Sequence, residues 1–154
     1  MTPVTKKYDS PNGKLKPAYQ AEILVRFADC DPAGIVFYPR YMEMFNNLVE
    51  DWCRETLDFS FPEIITRRGW GLPTVHLNAD FLAPSRLGEI LSATILLRSV
   101  GNTSIGLDIL LTGPDGIDRV RGEVVLVLTD RQLGKARQLP DELRARLRSL
   151  QAES

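Results

Sequence analysis

The stretch FADCDPAGIVFYPRYMEMFNNLVEDWCRET, residues 27–56, contains the most legible element of the chain. At about 100° per residue, Tyr38, Tyr41, Met42, Phe45, Leu48, Val49, Trp52, Cys53 and Thr56 fall within an arc of roughly 140°. Arg40, Glu43, Asn47, Glu50, Asp51 and Arg54 take the other side. The spacing predicts one long amphipathic helix that starts near Tyr38. Pro39 suits its first turn, where the missing N–H would have had no intrahelical acceptor. Upstream, the run QAEILVRF (20–27) has strand character and ends in the turn-rich DCDPAG of residues 29–34.

Downstream, a short helix is expected over Pro62 to Arg68, closed by Gly69. The pattern then changes to strands over 72–82, 89–99, 103–112 and 118–130, with hairpin signals at Gly101-Asn102 and Pro114-Asp115-Gly116. Leu143, Leu147 and Leu150 predict a closing amphipathic helix over Pro140 to Leu150. Tight turns join only antiparallel neighbours, and no helices alternate with the later strands. The expected architecture is therefore α+β: a single domain over 20–150, in which an antiparallel sheet packs on one long helix. Residues 1–19, with Pro3, Pro11, Gly13 and Pro17 among lysines, are expected to form a flexible arm without core residues.

The chain has 154 residues, 44% of them hydrophobic, and a net charge of −1, a balance that fits one soluble globular domain. Near-neutral charge argues against nucleic acid as the main partner. No apolar run approaches the roughly 20 residues of a membrane span. Two cysteines, Cys30 and Cys53, make no disulfide framework and fit a reducing cytoplasm. His76 is the only histidine, so a zinc site built on several histidines is ruled out, and no metal is expected. No serine or cysteine lies in a nucleophile-elbow context.

Asp31 is the carboxylate to weigh. It stands in a Pro/Gly turn a few residues before the helix, whose N-terminus offers unpaired N–H groups and about half a positive charge. A carbonyl oxygen there would be polarised, and a tetrahedral oxyanion more so. A nucleophile or base beside such donors is what acyl transfer requires. The same residue can equally serve as a turn starter or dipole partner. Cys30 lies between Asp29 and Asp31, which raise a thiol's pKa, so it is expected to be a packed thiol.

The run D-C-D-P-A-G-I-V-F-Y-P-x-Y (29–41) resembles the signature of the 4-hydroxybenzoyl-CoA thioesterase family of hot-dog proteins, in which a curved antiparallel sheet wraps one long helix. LNADFLAPSRLGEIL (77–91) resembles that family's second strand and its entry into the third. The resemblance implies an acyl-CoA thioesterase that yields free acid and CoA without a cofactor, as a homodimer or homotetramer. It also implies that Asp31 is the catalytic carboxylate and that the Tyr38 N–H polarises the thioester carbonyl. Asp31 would act as nucleophile or as general base, a choice the sequence leaves open.

Gly34, Val36, Phe37, Asn46, Thr74 and His76 are the expected substrate-binding residues. Asn46 is an amide where the hydroxybenzoyl enzyme has an acidic residue, so an aromatic or a short to medium aliphatic acyl group stays open. Thr74 and His76 are expected to share a strand face and border the partner subunit's acyl pocket. CoA phosphates would meet Arg98, Arg86 or a neighbouring subunit's arginines. The alternatives are a thioester carried on an acyl carrier protein, or a non-catalytic hot-dog module that binds acyl thioesters without turnover.

Overall fold

The structure, a computed structural model, describes residues 16–152. The strands β1 (Tyr19–Leu24), β3 (Thr74–Phe81), β4 (Ile90–Val100), β5 (Ser104–Thr112) and β6 (Asp118–Val127) form one antiparallel sheet in the order β1-β4-β5-β6-β3. The long helix α1 (Pro39–Glu55) and the closing helix α2 (Asp141–Ala152) complete the domain. A three-stranded ribbon of β2 (Trp70–Gly71), β7 (Thr129–Asp130) and β8 (Lys135–Ala136) stands beside them. This is the expected α+β hot-dog arrangement.

Alternation sets the inner face of the sheet. Leu91, Ala93, Ile95 and Leu97 of β4, Ile105 to Leu111 at every second position of β5, and Val120, Val124 and Leu126 of β6 are all buried. They meet Tyr41, Met44, Phe45, Leu48, Val49, Trp52 and Cys53 of α1. Met44 lies outside the predicted stripe yet is buried, because the core reaches round more of the helix than one flat sheet face would cover. Tyr38, expected in the stripe, is 62% exposed because it stands at the open start of the helix. At Gly122 the sheet and helix approach so closely that a Cβ would lie 2.5 Å from the Phe45 ring. What glycine supplies at that site is space rather than backbone freedom.

Several boundaries differ from the sequence-based expectation. Strand β1 starts at Tyr19, and the Ala18 N–H donates to the Ile95 carbonyl at 2.8 Å, so sheet pairing takes residues 18 and 19 out of the expected arm. Residues 1–15 of that arm lie outside the described residues. Phe27 is not in β1 but begins a short 3-10 turn, Phe27–Asp29, and is exposed. The expected helix after Pro62 is a single π-helical turn, Pro62–Arg67, ended by Gly69 at φ +67°. The run 118–130 is two strands, because the chain leaves the main sheet at Leu128 and Thr129 pairs with Gly71 instead. Tight turns account for β4, β5 and β6 as neighbours, whereas β3 joins the far edge beside β6.

Candidate active site

Residues 29–38 form a narrow loop that delivers a carboxylate and a helix start to the same place. Cys30 and Val36 pair across it as a β-bridge, the Asp31 N–H donates to the Ile35 carbonyl at 2.9 Å, and the Phe37 N–H donates to the Asp29 carbonyl at 2.9 Å. Gly34, at φ +77°, closes the turn in a conformation that an L side chain would strain. Oδ1 of Asp31 accepts the Ala33 N–H at 2.8 Å and the Ile35 N–H at 3.4 Å. Among the described residues its Oδ2 accepts no hydrogen bond. One oxygen thus builds the turn and the other is left without a hydrogen-bond partner among the described residues.

Tyr38 is the N-cap of α1, and among the described residues its N–H finds no acceptor. The first turn of α1 carries no acidic side chain, so the positive end of the helix dipole is not met by a carboxylate of its own. The start of the helix is pinned from below. The Val36 N–H donates to the Ser85 carbonyl at 2.9 Å, and the buried Tyr41 hydroxyl meets Ser85 Oγ at 2.9 Å. Burial pushes the Tyr41 phenol pKa up, with the Ser85 hydrogen bonds opposing it. The Ser85 side of the loop is anchored by Glu89, which accepts from the guanidinium of buried Arg119 at 2.9 Å.

Cys30 is a packed thiol, as expected. Its Sγ lies 3.5 Å from the Arg26 carbonyl, and desolvation, then Asp29 and Asp31, push its pKa up, away from a reactive thiolate.

An apolar cavity of about 220 Å³ lies along α1, its first α1 lining residue being Met42. Met42, Asn46 and Val49, at helical spacing, line one wall. Phe45, Thr74, Leu77, Val124 and Leu126 line it too, as do Phe61 and Leu72. Met42 is one helical turn, roughly 6 Å, beyond Tyr38. The structure thus brings Asn46 and Thr74 together in one cavity.

His76 is elsewhere. The pairing of β3 with β6 slips by one residue between Thr74 and His76, so Thr74 opposes Leu126 and Leu77 opposes Val124. A bulge of one residue reverses the alternation. Thr74 therefore shares the inner face with Leu77, and His76 projects with Asn78 to the outer face, where it is exposed. The expected common face of Thr74 and His76 is corrected accordingly. Val36 is also corrected as a substrate contact: it is 7% exposed and belongs to the core. Phe37 and Tyr38 are the aromatic residues of the signature with exposed side chains. Their rings pack edge to face at 5.4 Å, and Tyr38 meets Phe81 at 6.0 Å.

Of the two candidate cations, Arg98 is already engaged. Its Nη1 meets Asp108 Oδ1 at 2.6 Å and Glu123 at 3.8 Å. It also lies roughly 26 Å along β4 from Ile90, at about 3.3 Å per residue. Arg86 pairs with Ile35 in a β-bridge at the Asp31 turn and is exposed. Sequence reasoning missed the Tyr41–Ser85 contact and the roles of Phe61 and Leu72 in the cavity. The Met42, Asn46, Val49 spacing was available as a signal, whereas nothing in the sequence links residues 61 and 72 to it.

A carboxylate oxygen without a hydrogen-bond partner among the described residues, an unpaired helix-start N–H and an apolar cavity that begins one helical turn further along α1 make a candidate site for an acyl thioester. A model of the thioesterase-like superfamily matches residues 25–147. The chain belongs to that family. Among its relatives, the 1,4-dihydroxy-2-naphthoyl-CoA hydrolase of Prochlorococcus marinus strain MIT 9515 is 28% identical over 127 residues, covering 77% of this chain and 81% of that protein. The enzyme of the same name from Synechocystis sp. is 32% identical over 73 residues, covering 47% of this chain and about half, 52%, of that protein. A Staphylococcus aureus protein solved in complex with CoA superposes with a TM-score of 0.82 at 16% identity, over 92% of this chain and 88% of that one.

Proposed function

We propose that the protein is an acyl-CoA thioesterase that hydrolyses aryl thioesters at the Asp31 loop. The observation that carries this is the unpaired Tyr38 N–H at the start of α1, in the same loop as the free oxygen of Asp31. The thioester carbonyl would accept from the Tyr38 N–H, which gains strength as negative charge develops on that oxygen. Gly34 and Phe37 flank the reacting group, and Asn46 and Thr74 contact the acyl group in the cavity beyond.

Two routes balance. In one, an Asp31 oxygen attacks the carbonyl carbon, the C–S bond breaks, the CoA thiolate takes a proton from water, and a second water opens the mixed anhydride. In the other, Asp31 takes a proton from water, the hydroxide attacks, and the proton passes to the departing sulfur. Neither route requires a group beyond the chain and water.

Cavity volume admits an aryl acyl group. An apolar cavity of about 150 Å³ takes a benzene ring, so about 220 Å³ suits one or two fused rings rather than a long chain. The naphthoyl names of the relatives point the same way, and a 4-hydroxybenzoyl group fits the same limit. Arg86, exposed beside the Asp31 turn, is the cation proposed to meet the CoA phosphates. The unpaired edge of β3, with Leu77 and Phe81 exposed, supports assembly through that edge into a homodimer, with a homotetramer as a further step. No helix among the described residues is long and apolar enough to cross a membrane, which fits the cytoplasmic location proposed.

The test is thiol release from benzoyl-, 4-hydroxybenzoyl-, 1,4-dihydroxy-2-naphthoyl- and C4 to C16 alkanoyl-CoA, with wild type and Asp31→Asn compared. The expected result is aryl-CoA hydrolysis that falls at least about a hundredfold in the variant. Hydrolysis of none of the esters by wild type, with CoA-ester binding retained, would leave the non-catalytic module as the better account. Single-turnover hydrolysis in ¹⁸O water separates the routes, since only the nucleophilic one places label in the Asp31 carboxyl.

A further inference from the structure

A second apolar hollow, of about 320 Å³, borders the first through two shared residues. Ile64, Ile65, Trp70 and Pro73 line it, and it shares Phe61 and Leu72 with the cavity along α1. These two half-buried side chains are the partition between the hollows. Each comes from a locally defined position. Phe61 caps the π-helical turn, whose wide spacing is seen in the Arg68 N–H donating to the Glu63 carbonyl at 3.1 Å. Leu72 follows the β2 pair, where Gly71 opposes Thr129.

We infer that Phe61 and Leu72 are the specificity-determining floor of the acyl cavity, holding the acyl group to ring length by closing off the hollow behind. The inference rests on the cavity along α1 being the acyl site. A chain that enters past Tyr38 and Met42 runs down the Asn46 wall and meets the Phe61 ring. With Phe61 cut back, the same path continues into a hollow that is apolar except for Arg131 at its lining, so a long alkanoyl chain gains apolar contact that wild type denies it. The second hollow has no role with ring-sized substrates, which end before they reach it.

The variants are Phe61→Ala, Phe61→Leu and Leu72→Ala, each assayed on 4-hydroxybenzoyl-CoA and dodecanoyl-CoA. In parallel, calorimetric titration measures binding of the thioether S-dodecyl-CoA. Expected is a rise of at least tenfold in the dodecanoyl to hydroxybenzoyl ratio of kcat/KM for Phe61→Ala, with a smaller rise for the other two. S-dodecyl-CoA binding should tighten by a similar factor. An unchanged ratio and unchanged thioether affinity in a folded Phe61→Leu or Leu72→Ala protein would overturn the inference, whatever happens to Phe61→Ala. Should wild type hydrolyse no ester, the thioether titration still decides: tighter binding in the variants keeps the floor while the hydrolytic function fails.

Discussion

Gly122→Ala tests how closely fold and site are coupled. Gly122 lies in β6 between Ala79 of β3 and Ile109 of β5, under the ring of Phe45. A Cβ there would stand 2.5 Å from Phe45 Cε2 and 2.9 Å from Cζ. Carbon atoms settle at about 3.5 to 4.0 Å, so the ring must withdraw by about 1 Å. Overfilling a close-packed core costs about 1 to 3 kcal/mol. Phe45, however, borders the cavity of about 220 Å³ and has a void to move into, which puts the cost at the low end. Alanine also regains about 0.5 to 1 kcal/mol of the backbone entropy that glycine loses in a strand. The net change in stability is expected within about 1 kcal/mol, a Tm shift of at most about 4 °C at this chain length.

The larger effect falls on the cavity. A ring pushed into it removes contacts on the scale of a methylene, which in an apolar pocket is worth about 10- to 200-fold in kcat/KM. The assay pairs urea denaturation with kinetics on 4-hydroxybenzoyl-CoA and butanoyl-CoA. Expected is a loss of at least tenfold for the aryl ester, mostly in KM, with the butanoyl ester little changed. A folded variant with unaltered aryl kinetics would refute the assignment of this cavity to the acyl group. A loss of more than about 3 kcal/mol would refute the claim that the ring has somewhere to go.

Two further expectations concern stability. Arg119 is buried and holds Glu89 at 2.9 Å and Asp115 at 3.1 Å, so Arg119→Ala leaves Glu89 short of its cation and should cost about 3 kcal/mol, with Asp115, half exposed, adding little. A fall in stability below about 1 kcal/mol in urea unfolding would contradict that, and Glu89→Leu in the same background should recover part of the loss. With pH, the Tyr19 phenol is raised to about 12 by burial and then by its hydrogen bond to Glu55, and the Cys53 thiol to about 12 by burial and then by Glu50. Both favour the neutral form in the fold, so their contribution is whole below the ordinary thiol and phenol range and is lost as pH rises toward 12. Glu55, Glu63 and Asp115 are held below the usual carboxylate range by hydrogen bonds, from Tyr19, Arg68 and the Ile117 N–H respectively. Their contribution is present above that range and lost as pH falls through it. A Tm that stays flat from pH 9 to 12 would count against the first statement, and Tyr19→Phe should flatten that limb.

The long helix was legible because its apolar positions repeat with the helical period and Pro39 marks its start. β4, β5 and β6 were legible because alternation and the Gly101-Asn102 and Asp115-Gly116 turns are local signals. Asp31 was legible as a candidate because a carboxylate in a Pro/Gly turn before a helix is a pattern of neighbours in sequence. Its division of labour, one oxygen in the turn and one free, required coordinates, since it depends on the Ala33 and Ile35 amides folding back.

What the sequence could not carry are the properties that arise between distant segments. Alternation alone placed Thr74 and His76 on one face, and a single extra residue opposite Leu126 and Val125 reversed it. A bulge depends on the register with another strand, which no window along the chain contains. Likewise Arg98 reads as an available cation until Asp108 and Glu123 are brought against it across the sheet. The cavity walls come from residues 42 to 49, 61, 72 to 77 and 124 to 126. The sequence by itself determined the helix, the hairpins and the Asp31 turn, because each rests on interactions within a few residues. The tertiary structure alone decided which side chains share the cavity along α1 and which are neutralised or turned away, because packing and pairing join segments that are remote along the chain.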